Sequence, residues 1–345
     1  MRALLSYWSD YFTPGADAPL SGHSTGQIAQ HLFDLLDARL GCDYVGEQPV
    51  GGVDADLFVG HFWAFLDFCG LNRFDRRVAV YPVANPVWTR ELLLRLAAEL
   101  DVPMPWWDIP PRSFDHHATM ATADAVLVVG NSWTLSTFPA EEQRKIHLVN
   151  YAPATAPRDA PAPSTAPEPR RVCYVATHCD LRKGFMDVLD TWSGIGADEA
   201  TLDVVGAIRP PWDRLLASKV GGNVRYHGFV NSKEPAYHEI IRSCRFAYLP
   251  TYSEGQVGTL LEAIQQGCIP ITTRACGIAD SVLEHCVIVE PRDPEGQRRA
   301  ILEAVAWSED VFQERRARVA DAAGTAHTWD RFDAAVGRML DEVLA

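Results

Sequence analysis

The stretch CRFAYLPTYSEGQVGTLLEAIQQGCIPI, residues 244–271, contains a complete strand–helix–strand pattern. The apolar run Phe246–Leu249, closed by Pro250, is typical of a buried strand. Apolar residues then recur at helical spacing as far as Gly267, where a helix is expected to end, and a second strand begins at Cys268. Because a parallel sheet needs such helical crossovers, the stretch predicts an α/β protein.

Two acidic residues in this stretch, Glu254 in the loop and Glu262 in the helix, are candidates for ligand contacts. Gly255 and Gly258 leave the loop and the first helical turn without side chains, so a ligand can approach the backbone. The N–H groups and the dipole at a helix start favour a phosphate, and a helical carboxylate can accept hydrogen bonds from sugar hydroxyls. The alternative for either residue is an ordinary solvated glutamate.

The two glutamates and their surroundings resemble the family 4 glycosyltransferases of the GT-B fold. The pattern E-x7-E lies between P-x-x-S-E-G and L-E-A-x-x-x-G-x-x-P, and further stretches such as VCYVATHCDLRKG follow in the family's order. The resemblance covers residues 170–345 and implies two Rossmann-like domains facing an interdomain cleft, with retention of the anomeric configuration. Where the family usually reads E-G-F-G, this chain reads E-G-Q-V, with a glycine only at Gly258.

The length of 345 residues predicts two domains, each large enough for its own core. Proline recurs through residues 153–169 without any apolar period, so this segment is expected to be an extended linker. The resemblance makes residues 1–152 the acceptor-binding domain and residues 170–328 the donor-binding domain. It also implies that the helix predicted over residues 329–345 crosses back to the first domain.

The composition argues against several classes of partner. A net charge of −14 disfavours nucleic acid, since phosphate contacts need a basic surface. No apolar run reaches membrane-spanning length, and the N-terminus lacks a signal-peptide pattern. The eight cysteines include no C-x-x-C pair, and several lie in apolar runs typical of reduced core residues. These features predict a cytoplasmic protein without an integral membrane segment.

The loop Thr177–Gly184 takes the place of the family's G-R-x-x-x-x-K-G, whose arginine and lysine hold the donor diphosphate. Lys183 matches the lysine, whereas His178 falls on the arginine and is a poorer cation at neutral pH. Arg182 is a candidate for the missing charge, and a surface Lys–Arg pair is the alternative. The resemblance assigns Glu262 to the ribose, Glu254 to the donor sugar and catalysis, and the other donor contacts to Gly228, Phe229, Gln256, Val257, Gly258 and Thr259.

His61 is the catalytic candidate in the first half. The run DLFVGHFW, residues 56–63, resembles the family's D-x-x-x-x-H strand and places His61 at the carboxyl end, where ligands gather in open α/β sheets. The alternative is a histidine satisfied by a backbone partner. The run Asp54-Ala55-Asp56 imitates the D-x-D metal motif of the other large glycosyltransferase fold. Asp56 fits better as a strand-opening residue, and the resemblance implies no metal.

The residues that would contact the acceptor are less clearly indicated by the sequence. Ser21, Gly22 and His23 are nearest to the family's glycine loop, although a plain surface loop is equally consistent. After the predicted strand Arg77–Val83 the family often has a histidine, and this chain offers Tyr81, Asn85 and Trp88 instead. Tryptophans near strand ends suit the apolar faces of sugar rings, with core packing as the alternative. The adjacent histidines at 116 and 117 would point about 100° apart on a helix, so no shared metal is expected.

Together these features predict a glycosyltransferase for hexosyl or related transfer. Its co-substrate would be a nucleotide-diphosphate sugar, its acceptor a saccharide or glycoconjugate, and it would need no cofactor. One alternative is a sugar-nucleotide binding protein that kept the fold without catalysis, which the substituted glycine loop and the absent histidine after Val83 favour. Another is a GT-B phosphorylase or epimerase.

Overall fold

The computed structural model describes residues 1–10, 12, 24–104, 114–153 and 167–345. Most of the predicted linker, and the candidates Ser21, Gly22 and His23, lie outside these residues. The chain divides into two compact units. The first comprises Met1–Arg90, Trp107–Ala154 and His327–Ala345, and the second Glu91–Trp106 and Thr155–Ala326. Across the described ranges, no helix combines the length and the apolar character that a membrane span requires.

The strands and helices follow each other in the alternation expected of an α/β protein. The strands are β1 (Ala3–Ser6), β2 (Cys42–Val45), β3 (Ala55–His61), β4 (Phe74–Tyr81), β5 (Ala125–Val129), β6 (Ile146–Val149), β7 (Glu168–His178), β8 (Thr201–Ala207), β9 (Val224–Tyr226), β10 (Cys244–Leu249), β11 (Ile269–Thr272) and β12 (Val287–Ile288). The helices are α1 (Ser24–Leu40), α2 (Phe65–Leu71), α3 (Pro86–Leu100), α4 (His116–Thr122), α5 (Ser132–Ser136), α6 (Ala140–Gln143), α7 (Phe185–Trp192), α8 (Trp212–Lys219), α9 (Pro235–Arg242), α10 (Gly258–Gln265), α11 (Asp280–Leu283), α12 (Pro294–Val305), α13 (Glu309–Ala326) and α14 (Trp329–Leu344).

The sheet of the first unit is parallel, with the strand order β2-β1-β3-β4-β5-β6. Successive side chains of a strand point to opposite sides of the sheet, and helices pack against both sides. Leu57 and Val59 of β3 pack in the core that includes residues of α1 and α14, while Phe58 between them packs in the core that includes residues of α2. The C-terminal helix α14 belongs to this unit, and Asp341 pairs with Arg39 of α1 at 2.7 Å.

The sheet of the second unit is also parallel, in the order β12-β11-β10-β7-β8-β9. The chain runs from β7 outward through β8 to β9, and then returns to place β10 on the other side of β7. The strand order therefore reverses between β7 and β10. In open α/β sheets, ligands bind beyond the carboxyl ends of the two strands at such a point.

Candidate functional site

Two loops meet at the carboxyl ends of β7 and β10 and join through their backbones. The carbonyl of Arg182 accepts hydrogen bonds from the Tyr252 N–H at 2.9 Å and from the Thr251 hydroxyl at 2.8 Å. Gly184, which precedes α7, has φ +68°, and a Cβ there would lie 2.0 Å from the carbonyl oxygen of Pro250. Only glycine fits this close approach, which fixes one loop against the other.

Glu254 lies buried between these loops. Its Oε1 lies 2.7 Å from Lys183 Nζ, 3.7 Å from Arg182 Nε and 3.4 Å from the Thr251 hydroxyl oxygen. Burial acts to raise the pKa of the carboxyl, but the charges of Arg182 and Lys183 outweigh it and hold this pKa below its ordinary value. Glu254 is therefore an ionised carboxylate at neutral pH, in direct contact with the predicted lysine.

A third cation near these loops is Arg209, which the sequence analysis did not identify. Burial lowers the pKa of His178, and the positive charges of Arg209, Lys183 and Arg182 lower it further. His178 is therefore a neutral ring among three cations, not the missing positive charge itself. Arg209 follows the end of β8, the neighbour of β7, and the rule that polar residues after parallel strands share one edge could have found it.

The helix α10 begins beside the same loops. Gly258 and Thr259 are its first two residues, whose N–H groups have no partner four residues earlier within the helix. The N–H of Val257 donates to the Cys276 carbonyl at 3.0 Å, and the Thr259 hydroxyl donates to the Val175 carbonyl at 3.0 Å. These two groups hold the helix start in place, and Gln256, which precedes them, is buried.

Glu262 lies two turns into α10 and meets a tyrosine that the sequence analysis also missed. The hydroxyl of Tyr237, in α9, donates to Glu262 Oε2 at 2.5 Å. Burial raises the pKa of Glu262, and this hydrogen bond offsets the increase only in part. The helix α9 immediately precedes β10 and α10 follows it, so the two helices were expected to lie close to each other. This order was the sequence signal that could have indicated the contact.

The end of β9 carries an aromatic ring that the fold does not bury. Gly228 has φ +74°, a left-handed conformation that turns the chain after the strand. Phe229 follows it and is 60% exposed, whereas the core phenylalanines of this unit are buried. An exposed, flat, apolar face at the carboxyl end of a strand can stack against a planar ligand group.

A buried network supports the loop that carries Glu254. The hydroxyl of Tyr252 donates to Asp187 Oδ1 of α7 at 2.6 Å. Asp187 is fully buried and also accepts hydrogen bonds from the Arg292 N–H at 2.7 Å and from Gln297 Nε2 at 3.0 Å. These bonds tie the loop to α7 and α12, and the sequence analysis did not predict them.

In the first unit, His61 ends β3 and is almost fully buried among aromatic rings. Its Nδ1 accepts a 3.4 Å hydrogen bond from the Trp63 N–H, and its ring meets those of Tyr7 and Trp8 at centroid distances of 5.4 and 5.0 Å. Burial lowers the pKa of His61 to about 3. The imidazole is therefore neutral at physiological pH, and its remaining nitrogen carries the hydrogen.

The other candidates of the first unit follow β4. Tyr81 is fully buried, with its hydroxyl 3.4 Å from His116 Nδ1. The side-chain oxygen of Asn85 accepts hydrogen bonds from the N–H groups of Val87 and Trp88 and so begins α3. The Trp88 ring is 36% exposed.

Comparison with known proteins places these features in context. The family described as "Glycosyl transferases group 1" matches residues 169–306, and no curated protein matches the chain. The sucrose-phosphate synthase of Thermosynechococcus elongatus has 16% identity and a TM-score of 0.66, and the match covers 99% of each chain. WaaG, a glycosyltransferase involved in lipopolysaccharide biosynthesis, has 13% identity and a TM-score of 0.59 over 99% of each chain.

A UDP-forming α,α-trehalose-phosphate synthase from Burkholderia xenovorans has 11% identity and a TM-score of 0.60, over 84% of this chain and 74% of that one. At such low identities the similarity shows the fold alone, and it confirms the two-domain α/β GT-B architecture predicted from the sequence. With the group 1 match, it supports a transferase enzyme that acts on sugars.

Proposed function

We propose that this protein is a retaining glycosyltransferase of family 4, which moves a sugar from a nucleotide-diphosphate sugar to a hydroxyl of a saccharide or glycoconjugate. The observation that carries the proposal is the buried contact of Glu254 with Lys183, beside Arg182 and Arg209, at the switch point of the second sheet. Cations held at the carboxyl ends of parallel strands suit a ligand with a diphosphate group.

The diphosphate would bind where the cations and the start of α10 come together. Lys183 and Arg182 are already partly desolvated, with side chains 17% exposed, so their attraction for a phosphate is stronger than at an open surface. The first N–H groups of α10, at Gly258 and Thr259, would add donors from the positive end of the helix dipole. In this arrangement Glu254 holds the cations in position and contacts the donor sugar.

The nucleoside would lie between α10 and the end of β9. Glu262 would accept hydrogen bonds from the ribose hydroxyls, with Tyr237 fixing the orientation of its carboxylate. The exposed ring of Phe229, next to Gly228, would stack on the base. One structural neighbour is UDP-forming and another was solved with UDP, so UDP-sugars are the donors that we propose to test first.

The acceptor would bind to the first unit, where two tryptophan pairs lie after strand ends. Trp8 and Trp63 follow β1 and β3, with ring centroids 5.5 Å apart, and Trp88 meets Trp133 at 5.3 Å. Their partly exposed faces suit the apolar C–H faces of a saccharide. The neutral ring of His61 could donate a hydrogen bond near the reacting carbon, although it could not act as a cation there.

In the proposed reaction, the bond between the anomeric carbon and the phosphate oxygen breaks, and its electron pair stays with the diphosphate. The acceptor oxygen forms the new bond on the same face of the sugar, and its proton passes to the departing phosphate oxygen. Lys183, Arg182 and Arg209 stabilise the negative charge that develops on the leaving group. No resident cofactor takes part in this scheme.

We also propose a cytoplasmic location. All eight cysteines are unpaired and six of them are buried, which suits a reducing compartment. The net charge of −14 supports sugar nucleotides, and not nucleic acids, as the phosphate-bearing partners.

The test is an acceptor-dependent transfer assay. The protein is incubated with UDP-glucose, UDP-galactose or UDP-N-acetylglucosamine, with and without a panel of mono- and disaccharides, and released UDP is measured. We expect release only with an acceptor, and proton NMR should show the donor's anomeric configuration in the product. Lys183→Ala should abolish release, while Lys219→Ala, which removes an exposed lysine of the same unit, should not.

Two other results of this assay would reject sugar transfer, and each would favour a different function. An intact donor in every mixture, with UDP still raising the melting temperature, would identify a binding protein without catalysis. UDP release that needs no acceptor would point to hydrolysis or epimerisation.

A further inference from the structure

Two imidazoles and one carboxylate come together in the first unit, independently of the proposed donor site. His116 and His117 begin α4, and Glu142 belongs to α6. His116 Nε2 lies 3.0 Å from Glu142 Oε2, and His117 Nδ1 lies 3.6 Å from Glu142 Oε1. The His116 side chain is 1% exposed and the His117 side chain is 77% exposed, so the two rings point in different directions. The Glu142 carboxylate nevertheless contacts both of them.

The hydrogen bonds around His116 determine which of its nitrogens carries the hydrogen in the neutral ring. The side-chain oxygen of Asn85 accepts from the N–H groups of Val87 and Trp88, so its Nδ2 faces His116 Nε2 at 3.3 Å and donates to it. The Tyr81 hydroxyl, 3.4 Å from His116 Nδ1, then accepts from that nitrogen. Nδ1 is therefore the protonated nitrogen, and Nε2 presents a lone pair.

This lone pair faces a carboxylate oxygen at 3.0 Å, and both side chains are at least nine-tenths buried. Two acceptors at this distance repel each other unless a positive charge lies between them. The amide of Asn85, whose Nδ2 is 3.3 Å from His116 Nε2, supplies only a neutral donor. Its orientation is fixed, because its oxygen accepts from the backbone of α3. The charge of Glu142 therefore still needs a cation.

We propose that a first-row divalent cation, zinc in particular, binds to His116 Nε2, His117 Nδ1 and the carboxylate of Glu142. Zinc takes imidazole nitrogen and carboxylate oxygen at about 2.0–2.2 Å, so ligand atoms of a tetrahedral site lie roughly 3.3–3.5 Å apart. The measured separations of 3.0 and 3.6 Å bracket this value, and one ligand atom from each residue lies within 4.8 Å of the others.

The surroundings fit this assignment. Metal-binding histidines usually donate their other N–H to a fixed acceptor, and the Tyr81 hydroxyl takes that place for His116. Two histidines and one glutamate leave a fourth position for water, and this nitrogen-rich set favours zinc over magnesium or calcium. The metal would join α4 to α6, and it takes no part in the proposed transfer of sugar.

The experiment is a zinc titration of the protein after chelator treatment and desalting, followed by calorimetry and by melting temperature. We expect one equivalent to bind and to raise the melting temperature. His117→Ala and Glu142→Gln should each weaken binding at least about tenfold. His147→Ala is the matched control, because His147 lies 3.9 Å from Glu342 in the same unit and forms no such group with a second histidine among the described residues. This variant should bind zinc as the wild type does.

The proposal is overturned if the wild type neither binds zinc nor gains thermal stability from it. In that case, His116 is the other neutral tautomer and donates an ordinary hydrogen bond from Nε2 to Glu142. It is also overturned if His117→Ala binds zinc as tightly as the wild type. That variant decides the question even if Glu142→Gln fails to fold, because the His117 side chain is 77% exposed and its loss spares the core. As an independent readout, cobalt bound at the site should show the intense visible absorption of a tetrahedral centre, and His117→Ala should lose it.

Discussion

Replacing Lys183 with alanine tests the electrostatics of the two loops at the carboxyl ends of β7 and β10 directly. The ammonium lies 2.7 Å from Glu254 Oε1, with the side chains 17% and 7% exposed. Removing one partner of a buried ion pair costs about 3–5 kcal/mol, because the other charge stays buried. Arg182 remains 3.7 Å from the same oxygen and compensates in part. We therefore expect Lys183→Ala to lower the free energy of unfolding at pH 7 by about 2–3 kcal/mol.

The loss of stability caused by Lys183→Ala should depend on pH, and the sign of this dependence follows from the pKa of Glu254. The folded-state pKa of Glu254 is held below its ordinary value, so the carboxylate contributes stability that is present above the unfolded pKa and is lost as pH falls through the folded pKa. Without Lys183 this pKa rises, and the contribution at neutral pH becomes smaller, with only Arg182 left to stabilise the carboxylate. The wild type therefore loses more stability on acidification than the variant. The gap between them should narrow below about pH 4.3, the ordinary pKa of a glutamate.

Urea unfolding at pH 7 and at about pH 3 measures both effects. Lys219→Ala is the matched control, since Lys219 Nζ lies 2.6 Å from Asp190 in the same unit, with the side chains 36% and 26% exposed. An exposed pair of this kind contributes under about 1 kcal/mol. Equal losses in the two variants, or a loss from Lys183→Ala that does not change with pH, would refute the assignment of Glu254 as a buried carboxylate stabilised by this lysine.

Four further substitutions test other parts of the two units. Glu262→Ala should weaken binding of UDP by about 1.5–3 kcal/mol, and Tyr237→Phe by less, as measured by calorimetry; unchanged affinity in Glu262→Ala would reject the ribose contact. His61→Ala should leave donor affinity within a few-fold while lowering kcat roughly 100-fold, the scale of one well-placed polar group. Near-normal kcat with a lowered melting temperature would instead make His61 a structural residue. Gly277→Ala should cost about 2 kcal/mol or more, because φ is +69° and the new Cβ would lie 1.2 Å from the Gly255 carbonyl oxygen; an unchanged melting temperature would contradict this packing.

The sequence predicted those elements whose pattern is strong and local. The C-terminal helix begins at Trp329, as predicted, and ends at Leu344, one residue before the predicted end, because its apolar positions recur at helical spacing along its whole length. The strand β9 ends at Tyr226, two residues before Gly228 adopts a left-handed conformation. The short strand Cys42–Val45 was not predicted, since it is a half-buried edge strand of mixed polarity without a clear apolar run.

The contacts around the loops after β7 and β10 show a second limit of prediction from sequence, which concerns residues that are distant along the chain. Lys183 and Glu254 were identified through a resemblance in motif, and the structure brings them into contact. Arg209 and Tyr237 come from other strand–helix units, and only the order of the strands brings Arg209 near His178 and Tyr237 into contact with Glu262. Single-sequence patterns fix local conformation but not which edge two distant segments share, so such partners need the fold.

The two glutamates of the E-x7-E pattern have pKa values shifted in opposite directions, and this difference bears on their roles. Both carboxyls are buried enough for desolvation to act on them, yet only Glu254 is held ionised by cations. The cations of the loops beyond β7 and β10 therefore lower the pKa of Glu254, whereas burial dominates the pKa of Glu262. In the proposed reaction these cations would act on the diphosphate, where charge develops as its bond to the anomeric carbon breaks, and not on the neutral ribose. The contacts of Lys183 and Arg182 with Glu254 also keep both cations oriented before a donor arrives. In the proposed reaction, little reorganisation would then be needed at the moment of bond cleavage.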